Sequence, residues 1–267
     1  MIDPALLNLL PPLRRARGDR FYGPDEKHWV DLWKQDGIWL LGRRPEGAAK
    51  EWKNQLDKGL AGWAPSHWPR RLEPLIRTLL PETMAVRVFR NPDRAESFLG
   101  GANQRKTSLW RPWDNRISPW SQPGHRGVLW PVLPTGPGQA VVLAFAATWT
   151  QPLPEHDATS PAEAAALVQA AAQVIRFSAD LRAVAARATI GVAFDRHLGP
   201  SGLFVREGIW FGSTVGALEY TSLFRSMLKA GFFLNPDPEG LGILPELSPG
   251  EWLSWKIAAE QWAKEIA

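Results

Sequence analysis

The chain has 267 residues, enough for one large domain or two smaller ones, and its 45% hydrophobic and 22% charged composition excludes disordered and fibrous classes. A formal net charge of +4, from 31 basic and 27 acidic residues spread along the chain, does not call for a nucleic-acid or membrane partner. The absence of cysteine excludes disulfide scaffolds, thiolate metal sites and every cysteine nucleophile.

Residues 5–13 form an apolar stretch that Pro11 and Pro12 limit to a short helix or arm, followed by the basic Arg14, Arg15 and Arg17. Two short apolar segments then flank Gly23-Pro24-Asp25, which predicts a β-hairpin. A helix is predicted over 46–60, with Trp52 and Leu56 on its apolar face, and another over 69–80, where Leu72, Leu75, Ile76 and Leu79 recur at helical spacing. Residues 84–89 alternate as a strand. Residues 100–138, broken by six prolines, are expected to be irregular.

The apolar run 140–147 suits a strand buried on both faces and is too short to cross a bilayer. Ser160-Pro161-Ala162-Glu163 combines a capping box with proline at the first helical position, and starts one long helix with Leu167, Ala171, Val174, Phe177, Leu181 and Val184 along one face. Strands are predicted near 189–194 and 203–211, and a helix near 218–229 ending at Gly231. Ser248-Pro249-Gly250-Glu251 opens the last helix, with Trp252, Trp255, Ala259, Trp262 and Ile266 as its apolar stripe. Alternating strands and helices give an α/β architecture. The N-terminus has no basic region ahead of an apolar core, so the expected location is cytoplasmic.

Few motifs carry chemistry. The five histidines are scattered with no metal-ligand spacing, no G-x-S-x-G elbow occurs, and neither phosphate-binding glycine motif is present. Accordingly no residue is assigned as catalytic, cofactor-binding or metal-ligating. The most suggestive local feature runs from Trp110 to Arg126, where Trp110, Trp113 and Trp120 interleave with Arg111, Arg116, His125 and Arg126. Such a pattern can stack bases and neutralise phosphates, giving a nucleotide or single-strand nucleic-acid binding module as one alternative. Burial of these rings in a core or subunit interface is the competing reading, and nucleic acid is not the expected partner.

The run Phe21-Tyr22-Gly23-Pro24-Asp25-Glu26-Lys27-His28-Trp29-Val30-Asp31-Leu32-Trp33, with Gly37 and Leu40-Leu41-Gly42, resembles the opening of class III (subgroup II) aminotransferases. These are pyridoxal-phosphate enzymes of fold type I, related to glutamate-1-semialdehyde aminomutase. Glu26 stands where the family has its turn glycine and Arg43 where it has a histidine. Residues 223–236, from Leu223-Phe224-Arg225 through Phe232-Phe233-Leu234-Asn235-Pro236, are similar to the family's C-terminal small domain.

The resemblance implies a fold-type-I, transferase-like α/β fold in reduced form. Residues 1–50 and 200–267 would form a small-domain-like lobe, and 51–199 a reduced large-domain-like region. The family's chemistry is not matched. Its cofactor is held by a lysine late in the large domain, yet no lysine lies between Lys106 and Lys229. Its phosphate-binding Ser-Gly-Thr corresponds to Pro92-Asp93-Arg94, where proline lacks an N–H and aspartate places an anion.

The expectation is therefore a shortened, degenerate relative, a pseudoenzyme without bound pyridoxal phosphate that acts through protein interaction or another ligand. The alternative is an active aminotransferase or aminomutase using Lys106 or Lys229. Fifteen tryptophans and the family's habit lead to an expected homodimer, or pairing with a related subunit, with Trp110, Trp113, Trp120 and Trp130 at or near the contact. No membrane partner is expected.

Overall fold

A computed structural model describes residues 2–100, 108–114, 120, 126–135, 140–182 and 185–266. The chain divides into two compact units, Met1–Arg44 with Ala183–Ala267, and Pro45–Arg182.

The first unit joins the chain ends. After the helical turn α1 (Pro4–Leu7) come three short strands, β1 (Arg15–Arg17), β2 (Arg20–Tyr22) and β3 (His28–Asp31). The predicted hairpin is β2–β3, antiparallel with Phe21 opposite Trp29, closed by the Gly23 N–H on the Lys27 carbonyl at 2.8 Å. β1 adds to its edge, a strand that the basic run of arginines did not signal. On the other side β3 pairs in parallel with β10 (Phe232–Phe233), fixing residues 28–31 against residues 232–233. The Trp29 indole also donates to the Leu228 carbonyl at 2.9 Å. Residues between Phe21 and Trp33 thus share a core with residues between Phe204 and Trp262.

Two predicted strands need correction. Residues 189–194 lie within a helix, Ala185–His197. Thr189, Ile190 and Val192 favour strand locally, but Ile190, Phe194 and Leu198 pack on the core at four-residue steps, which only a helix provides. The single strand over 203–211 is instead a hairpin of β8 (Phe204–Glu207) and β9 (Trp210–Ser213), turned at Gly208 with φ 62°. β11 (Gly242–Ile243) completes this second sheet. The last two helices, Ala217–Lys229 and Pro249–Ile266, match the predicted segments, although Ile266 is exposed.

The second unit is a four-stranded sheet in the order β4-β7-β6-β5, covered by helices. β4 (Thr83–Phe89), β6 (Val128–Pro131) and β7 (Val141–Ala146) are antiparallel neighbours, and β5 (Leu109–Trp110) lies parallel to β6. Every residue of β7 is buried, as the apolar run predicted. Val142 and Ala144 face one core, with helices α3 (Trp68–Leu79) and α5 (Pro161–Arg182). Val141, Leu143 and Phe145 face another, with α4 (Pro92–Leu99). β6 corrects the expectation of an irregular segment: prolines end this strand without preventing it.

α2 (Glu46–Asp57) forms as predicted but turns its other side inward. Trp52 and Leu56 are exposed, while Ala48 and Gln55 are buried. α2 packs against the alanine-rich α5, and a Cβ at Gly47 would meet the Gln173 amide nitrogen at 2.3 Å. Close approach of two small-residue faces decides the side, not the larger stripe. The capping box of α5 is made reciprocally: the Glu163 N–H donates to Ser160 Oγ at 3.1 Å and the Ser160 N–H to Glu163 Oε2 at 2.8 Å. Ser160→Ala is expected to cost about 1 kcal/mol in urea unfolding. An unchanged midpoint would mean that the box does not hold this end.

Candidate functional site

The segment where the resemblance would place the family's phosphate loop is the start of α4. Asn91 takes an extended conformation and its side-chain oxygen accepts the Asp93 N–H at 2.8 Å. Pro92, next in line, has no N–H to offer. Asp93 brings a carboxylate into the first turn. The two arginines beside this turn are already engaged. Asp157 accepts the Arg90 N–H at 2.8 Å and pairs with the Arg94 guanidinium, while its own N–H donates to the Val88 carbonyl at 2.9 Å. Arg90 Nε also faces Glu163 at 3.3 Å. The Val88 N–H donates to His156 Nδ1 at 3.3 Å. Partial desolvation and the nearby Arg87 cation hold that imidazole below its ordinary range, so it stays a neutral acceptor.

A Schiff-base cofactor needs a lysine that is preorganised, and the described lysines are not placed that way. Within residues 45–182, Lys50, Lys53 and Lys58 are exposed on or just beyond α2, and Lys106 lies outside the described residues. Lys229 is exposed at the end of the helix Ala217–Lys229 (α7). Lys34 is buried, but it is held by Asp19 at 2.7 Å and by the Leu40 carbonyl at 3.3 Å. The phosphate anchor and the lysine anchor therefore both fail to fit pyridoxal phosphate among the described residues.

The family-like motif at 31–43 contains a buried ionic cluster that the sequence did not announce. Asp31, 1% exposed, accepts the Lys34 N–H on one oxygen at 2.9 Å and takes Arg43 Nε and Nη2 on the other at 2.8 and 2.7 Å. Arg43 lies over the rings of Phe21 and Trp39 at 4.5 and 5.2 Å. Lys34, Gln35 and Asp36 are three successive left-handed residues, with φ of 50°, 46° and 57°. Strain of this kind persists only where surrounding contacts impose it. Here Lys34 is tied to Asp31 and Asp19, and Gln35 Oε1 accepts the Trp39 indole N–H at 2.6 Å. Burial pushes the Asp31 carboxyl up, against the opposing pull of Arg43.

The tryptophan–arginine segment is not an open stacking platform at its start. Trp110 and Trp113 are buried, and Trp120 and Trp130 pack partly buried against the cores. Arg126 is exposed, while Asn115, Arg116 and His125 lie outside the described residues. Trp110 and Trp113 therefore present little surface of their own. Ten of the fifteen tryptophans are buried within this chain, so large aromatics are accommodated without a partner. Among the described residues there is no group of acids and histidines able to hold a metal ion, and no helix long and apolar enough to cross a membrane.

No family model matches the chain. An uncharacterized protein of Borreliella burgdorferi is 29% identical over 114 residues, 43% of this chain and 42% of that protein. An uncharacterized protein of Treponema pallidum is 32% identical over 107 residues, 38% of this chain and 34% of that protein. The chain thus matches less than half the length of either relative. Among solved structures, it is similar to an omega-transaminase from Sphaerobacter thermophilus, with a TM-score of 0.66 at 11% identity, covering 95% of this chain and 91% of that one. A glutamate-1-semialdehyde aminomutase from Pseudomonas aeruginosa gives 0.67 at 10% identity, covering 96% and 88%. An N-acetylornithine aminotransferase from Stenotrophomonas maltophilia gives 0.65 at 11%, covering 98% of each chain. The fold is that of the aminotransferases, and identities this low speak for the fold alone.

Proposed function

We propose that this chain is a degenerate aminotransferase-fold protein that does not hold pyridoxal phosphate and acts through a protein partner or another ligand. The observation that carries this reading is Asp157. Its carboxylate takes the Arg90 N–H and pairs with Arg94 beside the turn where the family's phosphate loop would lie. With Asn91 capping the same turn and Pro92 lacking an N–H, a cofactor phosphate meets few free donors and two resident anions, Asp93 and Asp157. The absence of any lysine between Lys106 and Lys229 supports the same conclusion. An interaction role fits a homodimer or pairing with a related subunit, through surfaces other than the buried Trp110 and Trp113. A monomer at every concentration in sedimentation would leave only the pairing with a different subunit.

Titration with pyridoxal phosphate tests the reading. An internal aldimine absorbs in the visible and is trapped by borohydride on one lysine. The expected result is no saturable visible band and no single trapped lysine, since exposed lysines form only weak, scattered adducts. Stoichiometric trapping at one position, Lys106 or Lys229 above all, would replace this proposal with an active enzyme.

A further inference from the structure

The second unit carries an open groove of about 550 Å³ between α3 and α5. Arg70 and Arg71 from the first turn of α3 and Arg176 from α5 line it, and no carboxylate does. Its floor is apolar, made by Leu75, Val168 and Ala172. Val168, Ala172 and Arg176 follow each other at four-residue steps, so one face of α5 supplies floor and charge together.

The three cations are available. Glu73, the acid on α3, pairs with Arg77 at 2.6 Å. Arg71 lies over the Trp68 ring at 5.3 Å, which fixes the guanidinium without neutralising it, and none of the three arginines is ion-paired among the described residues. Two other grooves in the chain also hold cations but include a carboxylate in their walls, Asp25 in one and Glu265 in the other. The α3–α5 groove differs in that no carboxylate among the described residues lines it.

We infer that this groove binds a nucleoside di- or triphosphate, its phosphates on Arg70, Arg71 and Arg176 and its base on the apolar floor. Guanidinium is the side chain best matched to phosphate oxygens, because its planar fork donates to two of them at once. Three such groups suit a ligand carrying several negative charges at one end. The apolar floor suits a ligand with a flat, weakly polar body at the other, and the volume falls in the range of small-molecule sites. This inference is independent of the reading above, since it uses neither the start of α4 nor any lysine.

Calorimetric titration of the full chain with ATP, tripolyphosphate and adenosine tests it. ATP is expected to bind one to one, tripolyphosphate more weakly and adenosine more weakly still. Arg176→Ala and Arg70→Ala should each weaken ATP binding about tenfold or more, and Arg176→Lys should fall between parent and alanine variant. Arg225→Ala, an exposed arginine of the other unit, serves as the control and should bind as the parent does. The alanine sites are exposed, and an unchanged melting temperature confirms that the fold is intact. The inference is overturned by a silent ATP titration, by ATP binding that Arg176→Ala and Arg70→Ala leave unchanged, or by tripolyphosphate binding as tightly as ATP. Binding of an acidic peptide where ATP is silent would overturn it in favour of a protein partner.

Discussion

Replacing Arg43 with methionine destabilises the protein by about 3–5 kcal/mol at neutral pH, because it leaves a buried carboxylate without its counter-charge. Asp31 is 1% exposed, its other hydrogen-bond donor is the Lys34 backbone N–H at 2.9 Å, and the Lys34 ammonium is engaged by Asp19. Methionine keeps much of the volume over the Phe21 and Trp39 rings, so the loss is mainly electrostatic. The pH dependence follows from the direction in which burial moves Asp31. A carboxyl raised by the fold is favoured in its protonated form, so that contribution is present below the ordinary carboxylate value and lost as pH rises through the raised one. Arg43 is what makes the charged form tolerable above that point. In Arg43→Met the carboxyl moves higher still, and the penalty shrinks as pH falls from 7 toward about 5. Asp31→Asn in the same background restores most of the loss. Urea unfolding at the two pH values checks this, and a penalty that does not change with pH would show that packing, not charge, is what Arg43 provides.

The elements that could be read from the sequence are those whose signals are local. The capping boxes at Ser160 and Ser248, the hairpin at Gly23 and the fully apolar β7 each carry their own geometry within a few residues. The misread elements are those decided by contacts far along the chain. α2 buries Ala48 and Gln55, not Trp52, because α5 offers it an alanine face. Residues 189–194 become helical because Ile190, Phe194 and Leu198 meet a core built from both chain ends. The candidate site divides the same way. Pro92, Asp93 and the lysine gap are visible in the sequence, whereas Asp157, more than sixty residues from Arg90 and Arg94, is not. The left-handed run at Lys34, Gln35 and Asp36 contains no glycine to mark it, so only the ion pairs that impose it reveal why it exists.

Trp255→Ala is expected to cost about 3–5 kcal/mol, the range for removing a large aromatic from a packed core. Trp255 is fully buried at the centre of the unit formed by the chain ends. It stacks on Trp252 at 5.8 Å with planes 3° apart and on Phe232 at 5.3 Å. Phe204 and Phe211 meet it edge-on at 5.5 and 5.3 Å, and Phe194 at 6.4 Å. These rings come from four separate segments of the chain, so the cavity left by alanine cannot close by moving one element. The indole nitrogen of Trp255 is buried with no hydrogen-bond acceptor among the described residues. An unmatched buried N–H costs about 1–3 kcal/mol, and phenylalanine removes it while keeping most of the ring contacts. Trp255→Phe should therefore lose less than half of what alanine loses. Urea unfolding of the two variants reads it directly. If phenylalanine is as damaging as alanine, the shape of the indole, not its apolar surface, holds the two ends of the chain together.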